Sequence, residues 1–286
     1  MPDIESPVVH HLPAAFLNRP PQDVEVHFYS TGDSTVRNRV NFSHHLLCFL
    51  QEGHKEVFSG GGSVAFNPSR FLLLQAGHTL MTERTTVDSR YSSHLLFFSN
   101  ESLVAFANVH GLKTTSQPAE TPSIQTFGKD DYIRNFEQSL RLLGPAFQHD
   151  GHLKKAKLHE ILSYLLSRHP EPIGRFINQA LNGLKHFSFR QLVQSPGFES
   201  LSNSDRAFLC GMSESTFKRR FSEVFGTSPQ RHFIDKKMKR AANLIKNGKL
   251  PSEIYYDLGY ENHSSFSSEF KKHFGVPPSD YSLASA

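Results

Sequence analysis

No stretch of this 286-residue sequence approaches the run of about 18 apolar residues a membrane span requires, and its start carries no basic-apolar-small leader. Neither a membrane partner nor a cleaved signal is expected. Cysteine is scarce: Cys48 and Cys210 sit in separate apolar contexts (HHLLCFL and RAFLCGM) and read as free buried thiols in a reducing cytoplasm. Signatures of common enzyme chemistry are missing as well. There is no Gly-x-Ser-x-Gly elbow and no Cys-x-x-Cys pair, and Gly60-Gly61-Gly62 lacks the Lys and following helix of a phosphate-cradling loop. Histidine is plentiful, with 17 residues. His10-His11 and His44-His45 are adjacent and His149/His152 lie three apart, yet none is joined to a Cys or acid at a metal-ligand spacing. No cofactor, no metal and no catalytic residue is therefore expected. The alternative, a metal-dependent cupin-type enzyme carrying a DNA-binding tail, would want a His-x-His pair with a downstream acid and a distant third His.

The net charge of +4 is unevenly placed. Residues 172–286 hold 16 Lys and Arg against 10 Asp and Glu, a balance of +6, which leaves −2 for residues 1–171. Between Ser213 and Lys249 the count is 10 basic to 3 acidic. A near-neutral front and a basic rear suit a nucleic-acid-binding domain joined to something else. A solvated basic helix is the plainer reading of charge alone.

Along the chain, residues 1–22 are rich in Pro and polar groups and read as a mobile arm. Short strands follow, punctuated by Gly and Pro: VEVHFY, HLLCFLQ, KEVF, SVAF, FLLLQ and HLLFFS. They predict an antiparallel barrel or sandwich over 23–122, whose mouth could hold a small ligand or be packed solid with Phe and Leu. His44 and His45 point to opposite faces of a strand, so at most one lines such a pocket. A Thr/Ser/Pro-rich link leads to two amphipathic helices, Asp130–Leu143 and His152–Arg168, an αα-hairpin over 123–170 that can cover the barrel or pair with a second chain. His169-Pro170-Glu171-Pro172 is the predicted domain boundary, with a helix from about Gly174 to Lys185 opening the second domain.

That second domain, 171–286, contains one motif written twice. Phe217, Phe221, Phe225, Gly226 and Pro229 recur as Phe266, Phe270, Phe274, Gly275 and Pro278. Phe at i, i+4 and i+8 forms one stripe of a helix, the Gly stops it in the left-handed conformation, and the Pro forbids resumption. Ser213 and Asn262 stand at the N-cap positions. A helix from Pro229 to Asn247 lies between the two copies, a short helix from Asp205 to Cys210 (capped by Ser202 or Ser204) precedes the first, and Ser252–Leu258 precedes the second.

This doubled pattern resembles the AraC/XylS family of bacterial transcription regulators over about Ser204–Tyr281. The residues that carry it are Ala207, Gly211-Met212-Ser213, Phe217, Arg219, Phe221, Gly226, Ser228-Pro229, Gly259-Tyr260, Phe266, Phe270-Lys271-Lys272, Phe274-Gly275, Pro277-Pro278 and Tyr281. The resemblance implies an α+β chain: a cupin-like antiparallel β-barrel with a helical hairpin, then an all-α domain of two helix–turn–helix motifs joined by a long helix. It implies a sequence-specific regulator, an activator more than a repressor, cytoplasmic and nucleoid-associated, whose partners are double-stranded DNA, RNA polymerase, a second copy of itself through the hairpin, and a small-molecule or protein effector at the N-terminal domain. Helices 213–225 and 262–274 would enter successive major-groove segments, with Ser215, Thr216, Lys218, Arg219 and Arg220 exposed on the first and His263, Ser264, Ser265, Ser267, Ser268, Lys271 and Lys272 on the second. Arg219 is the candidate for a bidentate contact to guanine, and Lys218 and Arg220 for phosphate. The sequence departs from the family pattern in several places. Ser268 stands where an Arg is frequent, Tyr255 where a small Ala packs between helices, and Asn203 and Arg206 where apolar residues are usual. A slightly splayed second unit, binding by shape and phosphate, is the expectation.

Overall fold

Ten strands form before the first long helix pair, and their pairing explains why several of them are apolar without alternation. The computed structural model describes residues 8–60, 62–112, 123–144, 150–181 and 189–281. The strands are β1 (Val9–Leu12), β2 (Val24–Thr31), β3 (Thr35–Phe42), β4 (His45–Glu52), β5 (His54–Ser59), β6 (Gly62–Phe66), β7 (Arg70–Leu74), β8 (Gly77–Arg84), β9 (Tyr91–Phe98) and β10 (Ile124–Gly128). They make two five-stranded sheets of order β1-β3-β8-β5-β6 and β10-β7-β4-β9-β2. Pairing is antiparallel except between β1 and β3.

The second sheet is a middle layer. One of its faces, with Leu46, Cys48, Leu72, Leu74, Leu95 and Phe97, packs with Val40, Phe42, Val57, Phe66 and Met81 of the first sheet. Its other face, with Leu47, Phe49, Phe71, Leu73, Leu96 and Phe98, packs under helices. Strands buried on both faces read as continuous apolar runs. The covering helices are α1 (Asn100–Val109), α2 (Asp131–Leu143), α3 (Gly151–Arg168) and α4 (Pro170–Leu181). Their buried stripes include Leu103 and Phe106, Ile133, Phe136 and Leu140, Leu158, Ile161, Leu162 and Leu165, and Ile173, Phe176 and Ile177.

Four features differ from the sequence reading. Within the Pro-rich arm, residues 9–12 form β1 along β3, and Arg19 clamps Glu25 at 2.5 Å while the buried Lys154 of α3 holds the same carboxylate at 2.8 Å. α1 follows β9 at once, capped by Ser99, a helix inside the 23–122 region for which the sequence reading named only strands. β10, read as part of the hairpin region, is instead an edge strand on β7. Finally, α4 begins at Pro170, where proline's missing N–H belongs to a first helical turn, and buries its face in the first core. The chain accordingly divides into two compact units, Met1–Phe198 with Phe208–Gly211, and Glu199–Ala207 with Met212–Ala286. The Thr/Ser/Pro link, His149 and the predicted end at Lys185 lie outside the described residues.

After α5 (Phe189–Gln194), the second unit comprises α6 (Asn203–Leu209, whose last two residues cluster with the first unit), α7 (Glu214–Phe225), α8 (Pro229–Lys246), α9 (Pro251–Ile254), α10 (His263–Phe274) and α11 (Pro278–Tyr281). α9 is one turn, shorter than the predicted Ser252–Leu258.

Candidate nucleic-acid interface

Local chemistry sets both ends of the two motif helices. The Ser213 hydroxyl accepts the N–H of Thr216 and the Asn262 side chain accepts that of Ser265, satisfying donors that the first turn leaves without partners. Gly226 and Gly275 close the helices at φ 70° and 81°, a conformation that a Cβ would strain.

The long α8 is the common support. Its Phe233 meets Phe221 of α7 with ring centroids 5.6 Å apart, and His232 stands edge-on to Phe221 at 5.2 Å. Further along, Met238, Ala241, Ala242 and Ile245 pack with Phe266 and Phe270 of α10. Asp235 then ties α8 to α10 through His273 at 3.3 Å and is held on its own helix by Lys239 at 2.7 Å. Phe217, Phe221, Phe266 and Phe270 are all 0% exposed. The second unit is therefore packed as tightly as the first. Tyr255 is half-buried against this cluster and meets His263 edge-on at 6.0 Å.

The other departures have a physical account too. Arg206 is buried with its guanidinium 3.9 Å over the Phe233 ring, donating to the Glu199 carbonyl at 2.6 Å and to Asn203 Oδ1 at 2.9 Å. Asn203 and Arg206 are thus one polar replacement for two apolar residues. Burial pulls the Arg206 pKa down to about 10, still cationic at neutral pH.

Opposite the buried stripes, the twelve sequence-predicted residues face outward. Ser215, Lys218, Arg219, Arg220, His263, Ser264, Ser265, Ser268, Lys271 and Lys272 are exposed; Thr216 and Ser267 are half-buried. In helical projection Arg219 and Ser268 occupy the same place in their copies, as do Ser215 and Ser264, and Thr216 and Ser265. Two acids on α7 went unremarked in the sequence, though their i, i+4 spacing announces them. Lys218 is drawn to Glu214 at 2.5 Å and Arg219 lies 4.0 Å from Glu223. Such exposed pairs contribute about 0–1 kcal/mol, so either cation can exchange its partner for a phosphate or a base. α10 carries Lys271, Lys272 and His273 in its last turn and no acid in its first.

Elsewhere the sequence's open questions narrow. His44 is half-buried, and His45 is 1% exposed and engaged by Ala76 N–H and Asn100. Among the described residues no three His, Cys, Asp or Glu stand together as metal ligands. None of the described helices is long and apolar enough to cross a membrane.

Comparison with known proteins matches residues 206–283 to a helix-turn-helix domain family and residues 45–173 to the ExsA N-terminal regulatory domain. The virulence regulon transcriptional activator VirF of Yersinia enterocolitica is 33% identical over 84 residues, 29% of this chain and 30% of that one. The HTH-type transcriptional regulator ExsA of Pseudomonas aeruginosa is 28% identical over 136 residues, 46% of this chain and 48% of its own. The chain thus spans between about a third and a half of the curated relatives it matches. Among solved structures, unsaturated-fatty-acid-bound ToxT of Vibrio cholerae aligns with 93% of this chain and 97% of its own at 16% identity and a TM-score of 0.38. With an ExsA-type N-terminal regulatory domain over 45–173 in front of a helix-turn-helix domain over 206–283, the chain is similar in both halves to AraC-like transcription regulators.

Proposed function

We propose that this protein is a sequence-specific DNA-binding transcription regulator, acting as an activator, that lays α7 and α10 into two successive major-groove segments. The observation carrying this reading is the pair of capped helices with identical buried stripes on one supporting helix, each presenting its opposite face to solvent. A helix of this diameter fits the B-DNA major groove and reads base edges near its N-terminus. In this reading Arg219 makes a bidentate contact to guanine, Lys218, Arg220, Lys271 and Lys272 meet phosphates, and Ser215, Thr216, His263, Ser264, Ser265, Ser267 and Ser268 supply neutral donors and acceptors. RNA polymerase and a second copy, paired through α2 and α3, are the macromolecular partners, and the N-terminal domain passes an effector's or partner protein's signal to the DNA-binding unit.

The test is selection from a random DNA pool with the purified chain at about physiological salt, where non-specific binding is weak. Two short informative blocks one helical turn apart are expected. Arg219→Ala should cost about 1–3 kcal/mol and relax preference at one base. Unchanged affinity and preference in that variant would remove Arg219 from the reading, and no enrichment with any DNA would remove the function itself.

A further inference from the structure

At the open end of the helix-covered sheet face, beyond the reach of α2's apolar stripe, lies a cleft of about 500 Å3 lined by Leu50, Gln51, His94, Lys129, Arg134, Glu137, Gln138 and Arg141, with Pro68 at its rim. Its charges are unbalanced, with three cations facing one carboxylate. Lys129 is buried and committed to Glu137 and to the Leu50 carbonyl at 2.7 Å, while Gln51 donates to Glu137 at 2.8 Å. Arg134 and Arg141 are exposed and sit seven residues apart on one face of α2. Arg134 has only the exposed Asp131 at 2.8 Å, an exchangeable partner. Arg141 has no acidic partner among the described residues. Below them His94 is 5% exposed, and its Nδ1 is buried without a hydrogen-bond partner. Burial first, then Lys129 and Arg141, press its pKa down to about 4, so the site already carries a positive field. An unpaired buried imidazole nitrogen beside two loosely held guanidinium groups is an incomplete hydrogen-bonding set.

We propose that this cleft is the effector site and takes a small phosphorylated metabolite, its phosphate held by Arg134 and Arg141 and its uncharged portion lying toward Pro68 at the rim. A phosphate offers enough acceptor oxygens to engage both guanidinium forks, whereas a carboxylate fills one. The volume falls within the range of small-molecule pockets, about 300–1,000 Å3. The inference deepens the proposed function, resting on the N-terminal domain being regulatory.

The probe is glycerol 3-phosphate, titrated into the full chain by calorimetry, with glycerol and the monocarboxylate glycerate as controls. Saturable binding is expected for glycerol 3-phosphate alone. The double variant Arg134→Ala/Arg141→Ala should weaken it by about tenfold per guanidinium. Both arginines are exposed, so an unchanged thermal melt is expected and verifies folding. Arg219→Ala should leave the binding unaltered. The proposal is overturned by absent binding, by equal binding in the double variant, by glycerate binding as tightly, or by loss in Arg219→Ala alone, which would place the phosphate on the DNA-facing helices. None of these readouts involves DNA. Their failure leaves the DNA-binding reading standing, and failed DNA selection leaves the cleft's binding measurable.

Discussion

His45 is a neutral imidazole locked between two partners, and acid should unlock it. It stands at the head of β4, 1% exposed, with the rings of Phe98 and Phe176 5.2 and 5.4 Å away. Its Nδ1 accepts the Ala76 N–H at 3.1 Å, and its Nε2–H donates to Asn100 Oδ1 at 2.8 Å. A second proton would have to sit on Nδ1, facing the Ala76 N–H, in a site almost closed to solvent. Burial lowers its pKa from 6.5 to about 4, against the smaller raising effect of Asn100. The unfolded chain therefore takes up a proton between those values that the folded chain refuses, and stability falls as pH drops through that window. At 1.36 kcal/mol per tenfold in proton activity, the loss is about 2 kcal/mol by pH 5 and about 3 kcal/mol by pH 4. His94 shifts the same way, so the wild-type loss contains both. The separating variant is His45→Gln, whose amide can keep both hydrogen bonds and does not titrate. Urea unfolding of the first unit from pH 7.5 to 4.5 should show a flatter decline in the variant, and the His45 Cε1 proton shift should hold constant above about pH 5. A titration midpoint near 6.5, or an identical decline in His45→Gln, would refute the reasoning.

Other substitutions test the packing. Phe221→Ala and Phe270→Ala should each cost about 3–5 kcal/mol, read from urea midpoints, because both rings are fully buried among other rings. Phe225→Ala and Phe274→Ala, at half-buried positions, should cost less. Lys55 is 4% exposed and reaches Glu83 at 2.5 Å and the Tyr91 hydroxyl at 3.0 Å inside the sandwich. Lys55→Met alone should cost about 3–5 kcal/mol by stranding the Glu83 carboxylate, whereas adding Glu83→Leu should recover most of it.

The C-terminal half was more legible than the N-terminal half for a physical reason. A helix motif is local: Ser213, the Phe stripe and Gly226 each act within four residues of one another, and so do Asn262 and Gly275, so spacing alone fixes cap, face and stop. The two sheets are assembled by pairings across long separations. Nothing near Val9 announces that it will lie along Arg39, nor near Ile124 that it will pair with Leu74. The apolar texture of β4, β7 and β9 marked strands but not their two-sided burial, which follows from the helices on one face. The predicted boundary at Pro170 marked a real helix break, yet a break in the chain need not be a break in packing: Ile173 and Phe176 return to the first core. Arg206 was flagged as out of place, and only its stack on Phe233 shows why it is tolerated.

The two copies of the motif also show which positions the protein itself constrains. Each buried or capping position carries the same residue or an equivalent one: Phe217 with Phe266, Phe221 with Phe270, Ser213 with Asn262, Gly226 with Gly275. These contact α8 or close a helix end, and α8 is one rigid support for both. The free faces have diverged, with Arg219 against Ser268 and Glu223 against Lys272. Nothing inside the second unit requires that difference, since the side chains point to solvent. A guanidinium fork suits one base edge in fixed geometry, while a serine with lysines a turn further on suits a phosphate backbone of any sequence. On the proposed function, α7 therefore reads its block sharply and α10 reads its block weakly while holding the backbone. Transplanting Ser268→Arg should add base preference in the second block at little cost to folding, which random-pool selection would register as a second block of sharpened sequence.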